Sequence, residues 1–382
     1  MSSSLGLIKL LEDDVTMSRA FEDTEGRVPA SATLPLSYNG YIVTVNGVDL
    51  EKIMRKCAFI LPYYGKFGNY FQLFLNSCAA NPDYDWLVFT DDRTAYQYPQ
   101  NVHVHYETFQ DMRERAQSKF EFPIALNAPY KLCDLRPMFG YIFSEYLQNY
   151  EHWGYCDCDL IFGRLDDFIT EDMLNDYDKL FVLGHCSILK NNKDNNMRFM
   201  LPLHGENIYR EVLQSSKGFT FDESYLSTNV NAIFMEHGYK VFDRDYSANP
   251  QSHESVFQIT RFNNDLKTYC TEKASKTVYV WREGVLTRYT KNLGTFIAVE
   301  LMYMHFQRRR MAVRLPNQIG ARHVYKIMPG SFEPLEVNEV TPENFSSIRW
   351  KRETDIMAHR WNLLKGDIKF WRKRIVGKLL RR

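Results

Sequence analysis

Apolar residues run without interruption from Cys57 to Leu61, and Pro62-Tyr63-Tyr64-Gly65 then stops the run. This pattern predicts a compact strand. Phe71, Phe74, Leu75 and Cys78 follow at spacings of 3, 1 and 3, which predicts a helix over 67–80, ended by Asn81-Pro82. Residues 85–90 read as a second, buried strand closing on Asp91-Asp92, and 102–106 alternate as a third. Thr108 starts an amphipathic helix to about Lys119, and a long helix is expected over 130–150, broken or kinked near Pro137. A short apolar strand then ends in Asp157-Cys158-Asp159. Such alternation predicts an α/β fold with a Rossmann-like, mostly parallel central sheet flanked by helices. In such sheets ligands bind beyond the carboxyl ends of the strands, where Gly65, Asp91-Asp92 and Asp157/Asp159 all fall. Beyond residue 170 the pattern is coarser: strands at 179–185, 240–243 and 277–281, a helix at 224–237, and a polar loop at 190–196.

The first 53 residues differ, with eight acidic and four basic residues and no sustained period. Residues 41–45 read as one strand of a hairpin turning at Asn46-Gly47. The chain therefore divides into an extension over 1–53, a domain over 54–315, and a C-terminal helical extension over 316–382. Two origins fit the first segment: a small appended element, or an extension ahead of a true start at Met54. The last residues, 361–382, carry eight basic residues and one acidic, with Leu364, Ile368, Trp371, Ile375 and Leu379 at helical spacing. A basic amphipathic helix of this kind suits an anionic membrane surface; docking on the domain with solvated charges is the competing reading.

Global composition narrows the partners. The 47 basic and 47 acidic residues cancel, so no overall field favours nucleic acid. Aromatic residues make up 15%, with 24 tyrosines, and tyrosine-rich surfaces suit ligands that combine apolar faces with hydroxyls. Seven cysteines, an odd number mostly in apolar segments, point to a reducing compartment. The amino terminus lacks a signal-peptide pattern, and no run of about 18 apolar residues occurs. The expected place is therefore cytoplasmic, peripheral on the inner face of a membrane.

The chemistry begins at Asp157 and Asp159. In an extended chain residues i and i+2 point to one side, so both carboxylates can reach one point. Two anions held together need a counter-cation or a proton. Oxygen ligands favour a hard divalent ion, Mg2+ or Mn2+. Taken alone, two acids in this pattern also fit a solvated polar loop.

As an ordered set, 59–65 (FILPYYG), 86–92 (WLVFTDD), 129–134 (PYKLCD), the D-x-D block and 304–307 (MHFQ) resemble the nucleotide-sugar-dependent glycosyltransferases of the GT-A type, most closely bacterial enzymes of capsule and surface-polysaccharide assembly. The resemblance covers about 54–314. It implies that Asp159 binds the metal, that Asp157 contacts the ribose or a metal-bound water, and that His305 is a late metal ligand. It further implies that Tyr63, Thr90 and Asp91 hold the base and ribose, and that Lys131 and Asp134 help close the donor pocket. No role passes to Arg136, which follows Asp134 by two residues where the longer family signature has three. The implied partners are a nucleotide-sugar donor, UDP-linked by preference, and a lipid-linked saccharide acceptor; hexosyl transfer is the expected reaction.

Independent chemistry bears on the same residues. A divalent ion stabilises the charge gained by a departing nucleoside diphosphate, and Arg308 or Arg309 can add a charge-assisted contact. The competing reading of 308–310 is a solvated basic turn, and that of His305 is a core histidine. An inverting transferase needs a carboxylate base, for which Asp222 and Glu223 are candidates; both also fit as acids capping a helix at Ser224. A retaining enzyme does not need that base. His185 and Asn229 either line the acceptor side or serve the structure. Two other classes share parts of the pattern: a metal-dependent hydrolase of a phosphate or glycosidic bond, and a non-catalytic nucleotide- or carbohydrate-binding module.

Overall fold

A computed structural model describes residues 36–38, 41–43, 51–52, 54–349 (except 225, 252–256, 264, 267, 274, 293, 308 and 317–323) and isolated positions between 357 and 372. The chain divides into two compact units, Met1–Ile53 and Met54–Arg382. In the first, Tyr41–Val43 pairs antiparallel with both Leu36–Tyr38 and Glu51–Lys52. The turn expected at Asn46-Gly47 lies outside the described residues.

The second unit is built on a seven-stranded sheet. Its order is Val241–Phe242, Lys179–Leu180, Cys186–Lys190, Tyr150–Cys156, Arg55–Tyr63, Tyr84–Thr90, Val102–Tyr106. The last four strands of that order run parallel, and Cys186–Lys190 lies antiparallel beside Tyr150–Cys156. Alternate side chains of Arg55–Tyr63 enter two different cores. Ala58 and Ile60 pack with Leu87, Phe89, Trp153 and Phe139, whereas Cys57, Phe59 and Leu61 pack with Trp86, Val88, Phe71 and Phe74. Burial on both faces is why these strands read as continuous apolar runs rather than as alternation. Successive strands after Arg55–Tyr63 extend the sheet one way, and Tyr150–Cys156 then returns to its other side. That reversal is the place where open sheets of this kind bind ligands, at the carboxyl ends of the two central strands.

The chain leaves this sheet at Asp157–Asp159. Leu160–Phe162 belongs to a second, three-stranded sheet with Tyr303–His305 and Ser247–Ala248. A third sheet of six strands, mostly antiparallel, spans 277–334 apart from a parallel edge strand at Ala312–Val313. Trp281 from this sheet is fully buried, and its indole N–H donates to the Phe162 carbonyl at 2.8 Å. Among the described residues no helix is long and apolar enough to cross a membrane.

Several elements depart from expectation for local reasons. The helix expected over 130–150 is a series of short turns: Pro129–Lys131, Leu132–Leu135, Arg136–Met138, Phe139–Ile142 and Ser144–Tyr146. Pro137 has no N–H to continue the ladder. The helix expected over 67–80 begins at Phe71, and the Phe67 N–H donates to Asp92 instead. The helix expected over 224–237 begins at Val230, where the Asn229 side chain accepts from the Ala232 N–H. The strand expected over 179–185 ends at Leu180, because Phe181 adopts a left-handed backbone at φ +67°. The polar loop expected over 190–196 contains a helix, Lys193–Met197. Past residue 315 the chain first adds Val324–Met328 and Ser331–Pro334 to the six-stranded sheet, and only then turns helical at Phe345–Arg349.

Replacing Trp281 with Phe removes the indole N–H donor to a buried carbonyl and leaves a smaller ring in a fully buried place. Loss of about 1–3 kcal/mol is expected, read as a lower urea midpoint at unchanged slope.

Candidate functional site

Neighbouring strand ends are tied to one another by side chains that reach the next loop. After Tyr63 the backbone turns at Gly65, whose φ of +103° favours glycine, and the Gly65 N–H donates to the Asp91 carboxylate at 2.7 Å. Lys66 and the Phe67 N–H both contact Asp92, at 2.6 and 3.0 Å. Thr90 is buried, and its hydroxyl accepts the Asp92 N–H at 3.1 Å. The Tyr63 ring stacks on Phe67 at 4.6 Å, and its hydroxyl donates to the Lys66 carbonyl. Tyr63, Thr90 and Asp91 thus lie on two adjacent strand ends, with Asp91 exposed.

Strand register brings the next group together. His305 sits opposite Leu160, and the Phe306 N–H donates to the Asp159 carbonyl at 3.0 Å. The His305 Nε2 therefore lies 3.3 Å from both Asp157 and Asp159 carboxylates. Candidate ligand atoms of Asp157, Asp159 and His305 all fall within 4.8 Å of one another. Burial works against a charged His305, but Asp159 and Asp157 outweigh it and push the ring up to about 10. As an imidazolium the ring bridges the two acids itself. As a neutral ring, with its Nδ1–H donated to the Asn249 side-chain oxygen at 3.2 Å, it turns a lone pair toward the point they share. Two oxygens and one imidazole nitrogen fit Mn2+ well and Mg2+ acceptably. The His185 ring packs 4.4 Å from His305, and its Nδ1 meets the Tyr303 hydroxyl at 2.8 Å.

Behind these acids lies Arg136. Its guanidinium donates to Asp157, to Asp222 at 2.9 Å and to the Gly184 carbonyl at 2.7 Å. Burial opposes the charge of Asp157, yet Arg136 and His305 hold its carboxyl well below the usual range. Asp222 is buried more deeply. Burial raises it and Arg136 lowers it; with Glu223 adding its own repulsion, the carboxyl settles at about 7. Glu223 is also raised, chiefly by burial, and accepts from the Gly184 N–H and the Tyr269 hydroxyl, each at 3.4 Å. Neither acid caps a helix; that task falls to Asn229. A Cβ at Gly184 would lie 2.5 Å from the Asp222 carboxylate, so only glycine admits Asp222 at this depth.

The other candidate residues take supporting places. Lys131 and Asp134 pair at 2.9 Å. Lys131 also donates to the Lys217 carbonyl, and Asp134 accepts from the Phe219 and Phe221 N–H groups. Together they fix the loop that delivers Asp222. Arg309 turns to the carbonyls of Pro329 and Gln251, and Arg308 lies outside the described residues. The residue that spacing alone missed is Arg136, whose only local signal is an arginine just after Asp134. Asn249, which orients His305, carries no sequence signal.

Residues 59–336 match the profile of a family of unknown function, DUF6625. No curated protein matches the chain. Among solved structures, the chain is similar to galactosyltransferase LgtC in complex with donor and acceptor sugar analogs, at 10% identity over 50% of this chain and 76% of that one, with a TM-score of 0.29. It is also similar to apo mouse xyloside xylosyltransferase 1, at 8% identity over 52% of this chain and 89% of that one, with a TM-score of 0.30. Likeness of this extent says nothing about chemistry.

Asp222 offers a direct test of the buried site. Folding keeps a proton on this carboxyl up to about pH 7, whereas an unfolded aspartate releases it near pH 4. Its contribution to stability therefore falls as pH rises between those values. Relative to wild type, Asp222→Asn is expected to flatten the decline of Tm across that window. Parallel curves for the two proteins would refute the buried acid.

Proposed function

The chain belongs to the DUF6625 family, and from its site we propose that it is a metal-dependent glycosyltransferase of the GT-A type. It moves a hexose from a nucleotide-sugar, a UDP-sugar foremost, to a hydroxyl of a growing, lipid-linked bacterial surface polysaccharide. One observation carries the reading: Asp157, Asp159 and His305 meet at the carboxyl edge of the sheet, beside the point where strand order reverses. The ordered motifs from Phe59 to Gln307 support the same reaction class.

Asp157, Asp159 and His305 would hold Mn2+ or Mg2+. When bound, the ion supplies a Lewis acid against the charge that grows on the leaving diphosphate. Tyr63 and Asp91 bind the base and ribose along the neighbouring strand ends, and Thr90, buried beneath them, holds the Asp92 turn in place. Arg136 holds Asp157 ionised and fixes its direction, and Arg308, on the strength of the sequence alone, is the candidate for a charge-assisted contact with the donor. Lys131 and Asp134 close the donor pocket from behind by pinning the loop ahead of Asp222. Asp222 takes the proton of the acceptor hydroxyl, with Glu223 beside it; a carboxyl near 7 is both available as a base and strong enough to accept. The His305 ring must lose its proton to act as a ligand, so metal affinity rises with pH below about 10.

Donor binding is the measurement that decides. Nucleotide sugars are screened by thermal shift with Mn2+, Mg2+ or EDTA, on wild type and Asp159→Ala. Stabilisation by one UDP- or GDP-sugar is expected, dependent on both the ion and Asp159, and worth about 2.7 kcal/mol at a hundredfold excess over Kd. A folded protein with no metal-dependent shift for any nucleotide would overturn the reading. With a donor in hand, transfer of sugar to a hydroxyl acceptor supports the transferase, and release of sugar to water alone supports a hydrolase. Asp222→Asn is expected to lower kcat by roughly 10²–10⁴ while leaving donor binding in place.

A further inference from the structure

The described part of the segment beyond residue 350 is helical, and its apolar side chains face outward. Met357, Trp361, Leu364, Ile368 and Trp371 are 48–66% exposed. At about 100° per residue these five fall within an arc of roughly 80°. Among the described residues, three exposed cations flank that arc. Arg360 lies about 20° beyond one edge, and Arg372 and Lys365 lie about 20° and 40° beyond the other. The Lys365 ammonium stands 5.5 Å from the Trp361 ring, so its stem runs along the apolar stripe with the charge at the margin.

Spacings of four and three residues suit two occupants, a second copy of this helix or a lipid surface. Charge separates them. In a paired helix the described positions beside the seam are those of Arg360, Lys365 and Arg372, so Arg360 of one copy would meet Lys365 of the other; in the sequence over 357–372 only Asp367 offers an opposite charge at such a position. An anionic surface attracts all three. The sequence over 361–382 carries the same bias, with eight basic residues and one acidic. Two tryptophans on the stripe further suit an interface that is apolar below and wet above.

We propose that this helix lies in the surface of an anionic bilayer. Met357, Trp361, Leu364, Ile368 and Trp371 enter the headgroup boundary, and Arg360, Lys365 and Arg372 reach lipid phosphates from either side. The proposal stands apart from the transferase reading, since it concerns a different part of the chain and needs no reaction.

The full chain is sedimented with vesicles of phosphatidylglycerol and phosphatidylcholine in equal parts, and with phosphatidylcholine alone. Binding to the anionic vesicles is expected, weakened by high salt. The exposed pair Trp361→Glu and Trp371→Glu, made together, is expected to abolish it at unchanged Tm. The triple variant Arg360→Gln, Lys365→Gln, Arg372→Gln is expected to weaken it roughly a hundredfold, at about fivefold per cation, and carries the test should the glutamate variant misfold. Equal binding to both vesicle types, or binding that neither variant changes, would overturn the proposal. So would the absence of binding together with a concentration-dependent dimer, seen by analytical ultracentrifugation, that the glutamate variant disrupts; that result assigns the stripe to a second copy.

Discussion

One buried guanidinium organises the carboxyl edge of this protein. Arg136 joins Asp157, at the end of a central strand, to Asp222, on a loop far along the chain, and to the Gly184 carbonyl of a third segment. Each contact would be weak in water, but at this depth both acids depend on the same cation. Without it, two carboxylates would face each other with little solvent to screen them. The arrangement explains why the two acids differ. Asp157 is also served by His305 and stays ionised, whereas Asp222 lies deeper, has Glu223 for a neighbour and gives way toward neutrality. Environment thus splits two like groups into an anion and a titrating acid.

The D-x-D block owes its reach to a change of sheet. Tyr150–Cys156 is held in the large sheet and Leu160–Phe162 in the small one, so the three residues between them link the two sheets and carry both acids to His305. The small sheet then supplies His305 by register and Asn249 just beyond Ala248. Trp281 clamps the same strand from the six-stranded sheet. The His305 ring stands 3.3 Å from both acids, so its charge fills the point that a cation would otherwise take. A cation held there would have to displace that proton, setting the two against each other through one ring.

What was legible in the sequence follows from whether the cause was local. The central strands were readable because burial on both faces leaves a continuous apolar run, as in Cys57 to Leu61. The acids were readable as a pair because a single residue separates them, although the chain bends there instead of continuing as a strand. The helix starting after Thr108 was readable because its cap, Thr108 with Asp111, is written in four residues. The helical pattern over 130–150 misled, since apolar periodicity survives in short turns that wrap one core while Pro137 breaks the ladder. Arg136 could not be weighted from spacing, because its partners lie 21 and 86 residues away. The strands past residue 315 were hidden because they complete a sheet begun at Thr277, and nothing local announces that partner.

The loop between Leu180 and Cys186 shows how much internal charge this edge carries. Phe181 takes a left-handed backbone that a bulky residue normally avoids, and its carbonyl then receives both the Lys179 ammonium and the Ser187 hydroxyl. Lys179 is fully buried, and burial pushes it down to about 7. A strained residue and a buried lysine are each unfavourable alone. Here each answers the other: the turn supplies an acceptor for the buried Lys179 amine, which also donates to the Ser187 hydroxyl, and those contacts hold the turn. The segment so held presents the Gly184 carbonyl to Arg136, the Gly184 N–H to Glu223 and the His185 carbonyl to the Asp157 N–H. Local rules of folding are broken at the point where backbone groups from one loop must meet two side chains and a backbone N–H of the site, which is where cooperation between levels is expected to fail. The apolar packing on both faces of the sheet carries the stability that this edge gives up.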